Sequence, residues 1–133
     1  MTRNRRILII DDALEIQILI RHLFLDEGYI VDYANNGKEG LDLLHSATEL
    51  PSVILLDLMM PVMDGLEFMK NLEADVQLRE IPVVVMTAYG PGEVKKMELQ
   101  GREILKKPVE IDALLGMAAR YCSKPVPPQA KIS

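Results

Sequence analysis

Val53–Glu67 reads VILLDLMMPVMDGLE. A short apolar run, Val53 to Leu56, ends in a single acid, Asp57, and the chain then breaks at Pro61 and again at Asp64-Gly65 before a helical pattern begins. Such a run reads as a buried strand of a parallel sheet, and open α/β sheets bind their ligands just beyond the carboxyl ends of those strands. Asp57 is thereby placed where chemistry occurs. The pattern recurs near the N-terminus, where Ile7-Leu8-Ile9-Ile10 runs into Asp11-Asp12. Three carboxylates at one rim repel each other, and a bound cation is the usual remedy.

Working outward, apolar runs and helical patterns alternate five times, which predicts a doubly wound α/β fold with a five-stranded parallel sheet. The strands are expected near Ile7–Ile10, Tyr29–Ala34, Val53–Leu56, Pro82–Met86 and Glu103–Leu105. Helices are expected near Leu14–Glu27, Lys38–Ser46, Leu66–Val76, Gly92–Leu99 and Ile111–Tyr121, with Gly28 and Gly37 at a helix exit and a helix entry. The 133 residues make one domain, residues 1–121, followed by a proline-rich tail or linker stub, residues 122–133, whose prolines favour extended backbone.

Composition narrows the function. A net charge of −5, with Lys and Arg scattered apart from the lead-in Arg3-Asn4-Arg5-Arg6, argues against a nucleic-acid binder. No apolar stretch approaches a membrane span, no signal peptide is visible, and the lone Cys122 has no partner for an internal disulfide. A cytoplasmic protein is expected.

Beyond the fourth strand stand Thr87-Ala88-Tyr89-Gly90, and beyond the fifth stand Lys106-Lys107-Pro108. Two acids and a further carboxylate suit a hard, oxygen-seeking ion such as Mg²⁺, while a hydroxyl and a lysine opposite would grip a tetrahedral anion. The set looks built to hold a phosphoryl group beside a metal, with one carboxylate free to be the nucleophile. His22 and His45 lack a metal-type spacing and read as surface residues, and Asp64-Gly65 reads as a turn and helix cap.

Asp11-Asp12, the segment DLMMPVMDG from Asp57, MTAYG from Met86 to Gly90, and Lys107-Pro108 together resemble the receiver domain of two-component response regulators, over residues 5–121. The resemblance implies the flavodoxin-like strand order 2-1-3-4-5 and an aspartyl phosphate on Asp57, received from a histidine kinase or a histidine phosphotransfer protein. It implies Mg²⁺ on Asp12, Asp57 and the Met59 carbonyl with Asp11 helping through water, and Thr87 and Lys107 on the phosphoryl group, Lys106 being the rival lysine. The Lys107-Pro108 bond is expected to be cis. By the same resemblance the chain is a switch that signals to a downstream protein by contact or relay, with only self-catalysed phosphorylation and slow hydrolysis.

Two features depart from the family, and the first helix adds a further clue. Where receivers usually carry Tyr or Phe three residues before the lysine, this chain has Ile104, stiff at χ1 and without a hydroxyl, so the switch formed with Thr87 should report differently. Gly90-Pro91-Gly92 predicts a short, late-starting fourth helix. On the first helix, Ile16, Leu19, Ile20 and Leu23 form the expected core stripe, and Leu14, Ile18 and Leu25 an outward apolar stripe suited to packing on a partner's helices. A phosphate-independent interaction module is the alternative. An aspartyl-phosphate hydrolase is disfavoured because Met59 stands where such enzymes place a second acid.

Overall fold

The computed structural model describes residues 3–58, 63–96, 99 and 101–123. Met59 and the tail beyond Ser123 lie outside the described residues. Five strands, β1 (Arg6–Ile10), β2 (Ile30–Ala34), β3 (Val53–Asp57), β4 (Val83–Thr87) and β5 (Ile104–Lys106), form one parallel sheet in the order β2-β1-β3-β4-β5. The helices are α1 (Leu14–Asp26), α2 (Gly37–Ser46), α3 (Gly65–Ala74), α4 (Pro91–Lys96) and α5 (Ile111–Tyr121).

Strand side chains alternate between faces, so the near-continuous apolar runs of β1, β3 and β4 must be covered on both. On one face Leu8, Ile10, Ile54, Leu56, Val83 and Val85 pack with Leu44 of α2 and Phe68 and Leu72 of α3. On the other, Ile7, Ile9, Val53, Leu55, Val84 and Met86 pack with Ile20 and Phe24 of α1 and Leu114 and Met117 of α5. Cys122, just after α5, is buried in this second layer, and the Ser123 N–H donates to Asn4 O. The ordered fold thus runs to the end of the described chain.

Local chemistry fixes the helix starts. Asn36 caps α2 by accepting from Glu39 N at 2.9 Å, and Asp64 caps α3 by accepting from Glu67 N at 2.9 Å, in keeping with the turn-and-cap reading of Asp64-Gly65. Gly65 is required by space, because a Cβ there would stand 2.8 Å from Leu58 Cα and 2.9 Å from Asp57 O. Gly28 leaves α1 at φ 87°, where a side chain would be strained.

The structure revises three local expectations. Leu19 is not part of the core stripe but 61% exposed, because Phe24, fully buried and edge-on to Tyr29 at 5.7 Å, turns the buried face of α1 toward itself and Ile20. Helix α4 starts at Pro91, one residue earlier than expected, since proline is well suited to a first helical position and Gly90 O accepts from Glu93 and Val94 N. Strand β5 lies one residue later, at Ile104–Lys106, and Ile104 is itself exposed.

Candidate functional site

Register builds the site. Ile10 pairs with Leu56, so the next residues along, Asp11 and Asp57, leave the sheet at one level, and Asp57 in turn pairs with Met86. Thr87 pairs with Lys106, and the Lys107 N–H donates to Thr87 O at 2.8 Å, which sets Lys107 one step beyond the sheet beside the acids. The Lys107-Pro108 bond is cis, as expected.

Lys107 Nζ lies 3.1 Å from Asp57 Oδ2 and 3.5 Å from Asp11 Oδ2. Lys106, the rival lysine, is exposed. Asp11 and Asp57 are buried and Asp12 is exposed, yet one carboxylate oxygen from each lies within 4.8 Å of the others. Burial, above all, raises the Asp11 pKa above the usual carboxylate value and the Asp57 charge adds to it, while the Ala13 N–H and Lys107 oppose it. For Lys107, burial disfavours the ammonium, but the charges of Asp11 and Asp57 with their hydrogen bonds outweigh it and raise its pKa. Thr87 is buried, and its Oγ1 accepts from the Tyr89 N–H at 3.0 Å, closing the turn that leaves β4.

The donor set fits a hard divalent cation. Three carboxylates face one ammonium, and all prospective ligand atoms are oxygens, so a cation would relieve the repulsion among the acids. Asp11, Asp12 and Asp57 are the residues able to hold it.

The expected outward stripe is exposed: Leu14 by 66%, Ile18 by 51% and Leu25 by 47%. Sequence patterning missed an apolar groove on the other side of α1, 440 Å³ in volume, where Leu19, Ile16 and Ile20 face Ala88, Pro108 and Val109, with Lys107 also in its lining. The available signal was Pro108-Val109, apolar residues directly after the lysine. Also missed was Gln17, whose amide ties α1 to Asp11.

The family model for the response regulator receiver domain matches residues 7–119. The chain belongs to the receiver domain family. Among relatives, this receiver domain is 37% identical over 120 residues to sporulation initiation phosphotransferase F of Bacillus subtilis, covering 89% of this chain and 94% of that protein. It superposes on the chemotaxis protein CheY4 of Vibrio cholerae with a TM-score of 0.78 at 30% identity, covering 90% of this chain and 99% of the other. The receiver domain of a signal transduction histidine kinase from Syntrophus aciditrophicus also matches at a TM-score of 0.78 and 27% identity, over 87% and 88% of the two chains. The fold, the strand order and the membership in two-component signalling follow from these matches. Among the described residues, no helix of the receiver domain is long and apolar enough to cross a membrane.

Proposed function

We propose that this receiver domain is a cytoplasmic phosphoacceptor that takes a phosphoryl group onto Asp57 from a phosphohistidine of a histidine kinase or histidine phosphotransfer protein. The observation that carries the reading is Lys107 Nζ bridging Asp57 and Asp11 at 3.1 and 3.5 Å in a cage of three acids. An Asp57 carboxylate oxygen attacks phosphorus, the O–P bond forms as the N–P bond breaks, and the departing imidazole nitrogen takes up a proton. Little covalent work falls to the protein, so alignment and charge neutralisation carry the rate. Mg²⁺, when bound by Asp11, Asp12, Asp57 and the Met59 carbonyl, supplies positive charge at the phosphoryl oxygens.

Lys107 holds its ammonium where the incoming phosphoryl oxygens collect, and pairs with them after transfer. Thr87 lies one residue beyond the Asp57–Met86 pair on the adjacent strand, and its hydroxyl, which accepts from the Tyr89 N–H, can donate its own proton to a phosphoryl oxygen. Ile104 offers no hydroxyl and sits exposed on the edge strand, so the signal passes to a downstream protein by a route other than an inward-swinging ring. The acceptor role rests on Asp57 alone. Incubation with a small phosphodonor and Mg²⁺ is expected to add one phosphoryl mass to wild type and none to Asp57→Asn. Equal labelling of both would overturn the Asp57 assignment, and absence of labelling in wild type would favour the phosphate-independent module.

The donor protein docks on α1. Leu14, Ile18 and Leu25 stand outward on the helix that follows Asp11 and Asp12, and on its other side the exposed Leu19 borders the groove whose lining includes Lys107. Ile18→Glu is expected to slow phosphotransfer from the kinase several-fold or more while leaving labelling by a small phosphodonor unchanged, as an apolar anchor is commonly worth about 1–2 kcal/mol. Loss of both together would assign the residue to the core or the site.

A further inference from the structure

We propose that Gln17 is a positioning residue for the divalent cation, acting through the peptide that joins Asp11 to Asp12; this rests on the Mg²⁺ reading of the acid cage. Gln17 Nε2 donates to Asp11 O and, at 2.9 Å, to Asn35 Oδ1. Asp11 O belongs to the planar unit that ends at the Asp12 Cα, so holding that carbonyl fixes the plane from which the Asp12 side chain departs. Asp12 needs the help. It is exposed, and among the described residues its carboxylate has no hydrogen bond, whereas Asp11 is held by the Ala13 N–H at 2.8 Å and by Lys107.

The far end of the clamp is anchored in turn. Asn35 N and Nδ2 both donate to Glu39 Oε1 at 3.2 Å, and Glu39 belongs to the first turn of α2, which Asn36 caps. Asp11 N donates at 3.1 Å to the carbonyl oxygen of Ala34, the last residue of β2 and the neighbour of Asn35. A single side chain therefore spans α1, the β1 exit and the β2 exit. Groups that orient metal ligands without touching the metal typically contribute tenfold or more to affinity.

The test is the Mg²⁺ dissociation constant of the full chain by calorimetry, with melting in EDTA alongside. Gln17→Leu keeps the volume and removes both donors; about a tenfold weaker Mg²⁺ affinity is expected, with metal-free melting nearly unchanged. Asn35→Ala, which frees the far anchor, is expected to weaken Mg²⁺ in the same direction and decides the matter if Gln17→Leu does not fold. His22→Ala, exposed on the same helix, is expected to bind as wild type does. A lowered melting temperature in EDTA with an unchanged dissociation constant would make Gln17 merely a helix tie and overturn the proposal. Absence of Mg²⁺ binding by wild type would overturn the cage reading and this proposal with it, whereas equal binding by wild type, Gln17→Leu and Asn35→Ala overturns the clamp alone.

Discussion

Replacing Lys107 with methionine keeps most of the side-chain length and removes the cation between two buried acids. At an effective dielectric constant of about 20, charges at the 3.1 and 3.5 Å separations to Asp57 and Asp11 attract by about 5 kcal/mol each. Desolvation of the ammonium offsets much of that, and breaking a buried pair from one side costs about 3–5 kcal/mol. With the Lys107 side chain still 24% exposed, the lower end applies. The expected loss in EDTA at neutral pH is about 3 kcal/mol, or roughly 10 °C in melting temperature for a domain of this size.

The pH dependence has a definite sign. The Asp11 pKa is already raised, so its carboxylate weighs against folding above that pKa and ceases to do so as pH falls through it. Without Lys107 the Asp11 pKa rises further, and protonation then substitutes for the lost ammonium. The deficit of the variant is therefore largest at neutral pH and shrinks as pH falls through the raised Asp11 pKa. Mg²⁺ has the same effect by another means, and should raise the melting temperature of Lys107→Met by more than that of wild type. Calorimetric melting across pH, with and without Mg²⁺, measures all three. A variant as stable as wild type in EDTA, or a deficit that does not change with pH, would refute the view that Lys107 is there to neutralise the acids.

Gly65→Ala places a Cβ 2.8 Å from Leu58 Cα and 2.9 Å from Asp57 O; despite alanine's better helix propensity, a loss of about 1–3 kcal/mol and slower labelling of Asp57 are expected, read by denaturant melts and intact mass. Burial pushes the Cys122 thiol from 9.0 up to about 11. Folding thus favours the neutral thiol, and its contribution is intact below about pH 9 and lost between about 9 and 11, by up to roughly 2–3 kcal/mol. Cys122→Ala should flatten the alkaline decline of stability over that window, and an unchanged slope would contradict it.

Strands buried on both faces are written in the sequence as unbroken apolar runs, which is why β1, β3 and β4 were legible to within a residue. Strand β5 has no such signature. It is three residues long and mostly exposed, and it was nevertheless placed to within a residue, the same one-residue shift as β4 shows. The buried face of α1 was misjudged at Leu19 because Ile16, Leu19, Ile20 and Leu23 satisfy helical spacing as well as Ile20 and Phe24 do, and ring size against Tyr29 decided between them. Acids at strand ends announced the site, but which of two adjacent lysines reaches them is set by the register Thr87–Lys106 and the step that follows it. Gln17 was invisible for a different reason. An amide inside a helix carries no pattern, and its partners are a backbone carbonyl and a loop side chain.

The acids and their cation reach the site at different times. Asp11, Asp12 and Asp57 are carried by β1 and β3, which pair directly at the centre of the sheet, whereas Lys107 follows β5, the last strand in the chain and an outer one. A chain emerging from the ribosome can join β1 to β3 before Lys107 has been made, leaving three carboxylates gathered without their counter-charge. The repulsion among them works against that half-built sheet until a cation binds or the edge strand brings Lys107 into place. The charge of Lys107 thus favours completion of the sheet, since it reaches Asp57 and Asp11 only with the edge strand in place.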